Sequence, residues 1–354
     1  MAAGHWLAGI ACYLLLLAES GLCCGGGGAA PPRPRPERTT SRPVSNVSVR
    51  DIDLAKDEEQ DEDETASDID HEADFDLICD GHVEPERVKR TPDVIIFGSK
   101  KGGTRALIEF LKLHPKIKAA GPEIHYFDKH YEKGLDWYVS NLRAVVPGSG
   151  EVSVEKTPGY FHTEKAPERV FEMDPNIKLL LILRNPVKRL ISDYNQFRSR
   201  YLDQGKEYPS LEDFLFTSEG EIDVSYPALQ RSIYHLHMGR WLHLFQREQI
   251  HLVDGEKFIR EPWQELQKVE VFLNLTSVIT QDNFFFNSTK GYYCSKDFRS
   301  HGAWTCTREK CLGRSKGRPK PPVAEETTAR MTEFFAPHNK MFYDMVGQEF
   351  EWPY

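Results

Sequence analysis

Residues 93–107 read DVIIFGSKKGGTRAL, and the reading of this stretch decides the fold. Val94 to Phe97 is a short unbroken apolar run of the kind carried by a strand buried on both faces. A glycine-rich segment with two lysines follows. From Thr104 to His114 (TRALIEFLKLH), Leu107, Phe110 and Leu111 then recur at helical spacing. In a strand, glycine loop and helix in that order, backbone N–H groups close around an anion, the helix N-terminus adds a favourable dipole and the lysines add formal charge. Lys100, Lys101, Gly102, Gly103 and Thr104 are therefore a candidate phosphate cradle. The lysines precede the glycine pair and none stands immediately before Thr104, so the loop departs from the G-x4-G-K-[ST] pattern of nucleotide hydrolases. A P-loop kinase or nucleotide hydrolase is the competing reading; release of phosphate from ATP with magnesium would reveal it.

Outward from this stretch, short apolar runs alternate with helical ones. Val152 to Val154, Lys178 to Leu183 (KLLLIL) and Ile250 to Val253 read as further strands. Pro186 can open a helix running through Ser192 toward Phe197, and another is expected from about Pro262 to Leu273. Strands alternating with helices predict an α/β domain, a central parallel sheet flanked by helices. Arg184 stands where the third strand ends and Ser192 about two helical turns later, so both can face a second phosphate at the carboxyl edge of the sheet.

The chain has 354 residues, 40% of them apolar and 28% charged, enough for one large globular domain with ordinary termini and too polar for a multi-span membrane protein. Its net charge of −9 is an average over unlike parts. Residues 51–80 hold fifteen Asp/Glu against one Lys, whereas residues 91–354 hold 36 Lys/Arg against 35 Asp/Glu. Any anion site in the domain must therefore come from local clustering. Trp6 to Ala18 is an apolar run of thirteen residues, short of the roughly 20 that a spanning helix needs, and reads as a secretory signal in residues 1–24 rather than a stable anchor. Residues 25–90, Gly/Pro-rich and then acidic, have too little apolar surface to offset the entropy of ordering and are expected to be a disordered stem. The stem ends in the basic run Arg87-Val88-Lys89-Arg90, and residues 91–354 form the expected domain.

Sequons at Asn46, Asn274 and Asn287 agree with a secretory route. Cys294, Cys306 and Cys311 cluster near the C-terminus, and in an oxidising lumen two of the three are expected to pair. Their C-x11-C-x4-C spacing lacks a fourth ligand for zinc. His235 and His237, at alternate positions without a carboxylate partner, are expected to be structural rather than metal ligands. The basic runs lack the interleaved aromatics of single-stranded nucleic-acid sites, so no nucleic-acid partner is expected.

Five segments in order, GSKKGGTRAL, PEIHYFD (122–128), VEKTPGYF (154–161), LILRNPVKRLISDYNQ and SKGR (315–318), resemble the heparan sulfate glucosamine 3-O-sulfotransferases over essentially all of residues 91–354. The resemblance implies a sulfotransferase fold, a Golgi lumenal location, soluble or anchored as a type II membrane protein, and 3′-phosphoadenosine 5′-phosphosulfate (PAPS) as donor. It implies that Lys100 to Thr104 hold the 5′-phosphosulfate with Lys101 near the bridging oxygen, and that Arg184 and Ser192 hold the 3′-phosphate. Lys316, Gly317 and Arg318 would close over the cofactor and meet the acidic sugar. A cysteine pair flanking that loop matches Cys294 and Cys311 best, with pairing of Cys294 to Cys306 left open.

Sulfuryl transfer needs an acceptor hydroxyl in line with the leaving phosphate, a base for its proton and cations on the leaving group, and it needs no metal. Glu123 is the expected base, with His125 and Asp128 close enough to orient it. Lys156, after a strand, is placed to bridge Glu123, the sulfuryl group and the acceptor, and Gln196 is a candidate sugar contact. Lys129, Lys133, Arg198, Arg200, Lys316, Arg318 and Lys320 are candidates to line a groove for the polyanion. A catalytically silent heparan-binding protein with the same fold is the second alternative.

Overall fold

A computed structural model describes residues 85–301, 304–313 and 322–352. The leader at 1–24, the stem to residue 84, Asn46, and Lys316, Gly317, Arg318 and Lys320 lie outside the described residues. In chain order the principal elements are β1 (Val94–Gly98), α1 (Thr104–Leu111), β2 (Ile117–Ala119), α2 (Leu135–Ser140), β3 (Val152–Lys156), α3 (Ala166–Met173), β4 (Lys178–Leu183) and α4 (Pro186–Asp203). They continue with α5 (Tyr234–Leu242), β5 (Ile250–Asp254), α6 (Gly255–Arg260), α7 (Pro262–Phe272), β6 (Phe284–Asn287), β7 (Tyr292–His301), β8 (Trp304–Lys310) and α8 (Glu325–Val346).

Five strands form one parallel sheet in the order β2-β3-β1-β4-β5, as the alternation of strands and helices predicts. Both faces are covered, and the side chains of β1 and β4 divide accordingly. Ile95, Phe97, Leu179, Leu181 and Leu183 pack on one side with α5 and α8, whereas Val94, Ile96, Leu180 and Ile182 pack on the other with α1 and α7. A third apolar cluster joins α4, through Val187, Leu190 and Tyr194, to Phe214, Tyr226 and Phe335.

Several features go beyond the expected elements. Ile117–Ala119 adds a short edge strand, and β6, β7 and β8 form a separate antiparallel sheet. The 22-residue α8 closes one face despite an internal Pro337. The folded region also begins before residue 91. Val88 forms an antiparallel bridge with Val145, Arg87 reaches Glu151 at 3.4 Å, and Arg90 grips Asp93 through two contacts of 2.7 Å. The basic run at the end of the expected stem is thus part of the folded chain.

Cys294 is bonded to Cys311, closing a separation of 17 residues between β7 and the end of β8. Cys306 lies on β8 opposite Arg299 and is not the partner of Cys294. Of the remaining sequons, Asn274 is exposed just after α7. Asn287 is half-buried, and its side chain accepts from the Lys290 amide and approaches the Cys311 sulfur at 3.7 Å.

Candidate active site

The parallel register brings the carboxyl ends of the central strands to one edge. Ile96 pairs with Lys156, Gly98 with Leu181, and Leu183 with Asp254. The loop after β1, Lys156 at the end of β3 and Arg184 after β4 therefore share the edge around β1, where the chain order reverses.

The glycine loop folds back on β4. The Ser99 amide donates to the Ile182 carbonyl at 2.9 Å and the Gly102 amide to the Ser99 carbonyl at 2.8 Å. A Cβ on Gly102 would lie 2.4 Å from the Ile182 oxygen and 2.6 Å from Ser99 Oγ, so only glycine permits this approach. Lys101 (φ 68°) and Gly103 (φ 119°) turn the backbone through the left-handed region into α1, which opens at the buried Thr104. Lys101 Nζ donates to Gln196 Oε1 on α4, so the residue expected at the sugar meets the cradle.

An ion cluster absent from the sequence-based site residues supports this loop. Arg189, fully buried on α4, donates to the Lys100 carbonyl at 3.2 Å, Ser232 Oγ at 2.7 Å and Asp193 at 2.9 Å. Arg231 adds a second contact to Asp193 at 2.8 Å. Burial pushes the Asp193 carboxyl up, but Arg189 and the loop lysines outweigh it and hold it below the usual carboxylate range. The signal available in the sequence was Arg followed four residues later by Asp on a predicted helix.

The edge fits a nucleotide bearing phosphate groups. It presents a glycine backbone pressed against β4, two lysines, and Arg184, whose buried Nε makes no hydrogen bond among the described residues and stands 3.6 Å from Glu256. Ser192 is half-buried on α4, two turns beyond Arg184.

The turn at 121–128 brings the predicted acid–base residues together. Lys156 Nζ donates to Glu123 Oε1, and His125 Nε2 lies 3.3 Å from Glu123 Oε2. His125 Nδ1 meets Asp128 Oδ2 at 2.8 Å. Burial pushes Glu123 up, but Lys156 and His125 prevail and bring its pKa down to about 2. Burial opposes charge on His125 too, but Asp128 and Glu123 raise it to about 9, so the imidazole is a cation at neutral pH. The turn is anchored behind by the His125 amide, which donates to Thr157 Oγ1 at 3.3 Å, and by the Tyr126 amide, which donates to the Tyr160 hydroxyl at 2.9 Å.

One groove candidate departs from expectation. Arg200 is buried beside the Phe197 ring, 5.6 Å from its centroid, so it does not line an exposed groove; its place on the inner face of α4 decides this. Lys133, by contrast, lies over the Trp137 ring at 4.4 Å, while Lys129 is exposed. His235 stacks on His338 and His237 contacts the Gln230 carbonyl at 3.0 Å, both in the helical packing. No cluster of three or more metal-ligating side chains occurs among the described residues.

A sulfotransferase domain model matches residues 91–343. The human heparan sulfate glucosamine 3-O-sulfotransferase 6 is 42% identical over 267 residues, 75% of this chain and 74% of that protein. The mouse heparan sulfate glucosamine 3-O-sulfotransferase 5 is 42% identical over 269 residues, 75% of each chain. Among solved structures, a sulfotransferase from Alicyclobacillus acidocaldarius covers 74% of this chain and 98% of its own with a TM-score of 0.52 at 20% identity, a likeness of fold. The chain belongs to the sulfotransferase family, and within it to the heparan sulfate glucosamine 3-O-sulfotransferases.

Proposed function

We propose that the protein transfers a sulfuryl group from PAPS to the 3-hydroxyl of glucosamine units in heparan sulfate, in the Golgi lumen, with Glu123 as base. The observation that carries this reading is the meeting of Glu123, Lys156 and His125 on the sheet edge that also bears the glycine loop. PAPS, when bound, supplies the activated sulfuryl group. Lys100 to Thr104 would hold its 5′ end and Arg184 with Ser192 its 3′-phosphate, while Lys316, Gly317 and Arg318 are proposed to close the site.

Glu123 is poised to take the acceptor proton on a carboxylate oxygen. Paired with Lys156 it is a weak base, since the same ion pair that lowers its pKa lowers its proton affinity. Lys156 is therefore the control on its strength. An anion seated at the loop competes with Glu123 for the ammonium group, and the carboxylate becomes more basic as that bond loosens. Lys101 and Lys156 offset the negative charge that develops on the leaving side. His125, held between Glu123 and Asp128, keeps the carboxylate oriented. Gln196 and the lysines of the 129–133 segment are proposed to contact the sugar chain.

The test is transfer of labelled sulfate from PAPS to heparan sulfate, with disaccharide analysis of the product. Glu123→Gln is expected to lower turnover by about 1,000-fold while adenosine 3′,5′-bisphosphate binds as before. A Gln variant that keeps most of its turnover would remove the base assignment. Absence of transfer by the parent chain, with heparan sulfate still bound, would favour a silent binding protein.

A further inference from the structure

Glu155 lies next to Lys156 on β3 and plays no part in the mechanism above, although it is fully buried. Neighbouring strand residues point to opposite sides of a sheet, and here Lys156 goes to Glu123 whereas Glu155 turns to Thr157. No Lys, Arg or His among the described residues forms an ion pair with Glu155. Its Oε1 accepts from the Thr157 hydroxyl, and its Oε2 makes no well-formed hydrogen bond among the described residues, with the Tyr138 hydroxyl as its polar neighbour. An ion without a paired cation is costly in such a place, whereas a carboxylic acid is tolerated.

Thr157, itself fully buried, uses its hydroxyl twice. It donates to Glu155 and accepts from the His125 amide at 3.3 Å. His125 is the strained point of the catalytic turn, a non-glycine residue at φ 53°, a conformation that persists where the surroundings hold it. The chain of contacts thus runs Glu155, Thr157 hydroxyl, His125 backbone, His125 imidazole, Glu123.

We infer that Glu155 is a positioning residue for the sulfuryl-transfer site, acting as the neutral acid and fixing, through Thr157, the turn from which His125 holds Glu123. The inference rests on the function proposed above. The groups facing Glu155 are Thr157, Tyr138 from α2, Tyr160 from the 158–161 turn, and His125 and Asp128 from the catalytic turn, with Lys156 adjacent in the strand. Burial above all raises its pKa to about 8, against the opposing pull of Thr157, His125 and Lys156. Ionisation at higher pH would add a third negative charge behind those of Asp128 and Glu123.

The experiment compares Glu155→Gln with Glu155→Ala in the full chain, using PAPS and heparan sulfate. The Gln variant keeps the neutral acceptor and is expected to retain kcat within about threefold at pH 7, whereas the Ala variant loses about 100-fold in kcat with KM for PAPS little changed. The parent's fall in kcat as pH rises through about 8 is expected to be missing from the Gln variant. Thr157→Ser and Thr157→Val give a second pair in case Glu155→Ala does not fold; the hydroxyl-bearing Ser variant should keep kcat and the Val variant lose it. Gln as impaired as Ala, Ala as active as the parent, or Val as active as Ser would each overturn the inference. Titration of labelled histidine by NMR reads the same contact without turnover. The His125 midpoint should stay near 9 in Glu155→Gln and fall toward 6.5 in Glu155→Ala and Thr157→Val. If those midpoints behave so but the parent sulfates no heparan sulfate, the proposed function fails and the positioning role stands. Unmoved midpoints in an active parent sink the positioning role alone.

Discussion

Glu123 and His125 stabilise the fold in different pH ranges, and the signs follow from their shifts. Glu123 lies below its ordinary 4.5, so its contribution is present above 4.5 and is lost as pH falls through about 2. His125 lies above its ordinary 6.5, so its contribution is complete below 6.5 and is lost as pH rises through about 9. Thermal midpoints of the parent and His125→Gln should therefore differ most below pH 6.5 and converge toward pH 9 and above; a gap that widens at alkaline pH would contradict the assignment. Arg184 is a separate case at this scale. Its Nε pairs with Glu256 at 3.6 Å, a carboxylate that Lys188 also holds at 3.2 Å. Arg184→Ala is expected to weaken adenosine 3′,5′-bisphosphate binding by about tenfold or more, as loss of a charge-assisted contact does, with little change in thermal midpoint. Unchanged affinity in calorimetry would place the 3′-phosphate elsewhere.

At the scale of elements, α4 does more than carry Ser192 and Gln196. Its buried Arg189 ties the Lys100 carbonyl to Asp193 and Ser232, so the loop is held from beneath by an ion cluster. The polar pattern of this helix was legible in the sequence, but which of its charges would be buried was not. Arg200 reads as a candidate for the polyanion groove and Arg189 carries no distinguishing mark, yet packing beside Phe197 and Ala228 puts both on the inner face. The antiparallel sheet is secured differently. Cys294–Cys311 closes a short loop across β7 and β8, and a link of this length constrains the unfolded chain by about 3 kcal/mol. Cys311→Ser should lower stability by about that amount in denaturant unfolding. A loss under about 1 kcal/mol would show that β-pairing alone holds these strands.

At the scale of the whole molecule, the folded region extends past the boundary drawn at residue 91. The bridge between Val88 and Val145, with the ion pairs of Arg87 and Arg90, adds a clasp at the start of the domain. Chains beginning at residue 85 and at residue 91 should both bind adenosine 3′,5′-bisphosphate, but the shorter should melt several degrees lower, because it loses two backbone hydrogen bonds and the paired arginines. Equal midpoints would reduce the clasp to a surface contact. β1 and β4 were readable because they are apolar almost throughout, and α4 and α7 because they begin at Pro186 and Pro262; these are local signals. The residues proposed for the cradle and for acid–base chemistry also lie in short motifs, glycines, lysines and acids a few positions apart. The antiparallel sheet, the clasp, the Arg189 cluster and the Glu155–Thr157–His125 relay were not readable, because each depends on residues distant in the chain or on which side of a strand is dry. Local pattern thus determined the class of fold and pointed to the residues proposed to handle a sulfuryl group, whereas packing alone settled which charges are buried, which cysteines join and what supports the turn at 121–128, since desolvation and long-range contact exist only once the chain has closed on itself.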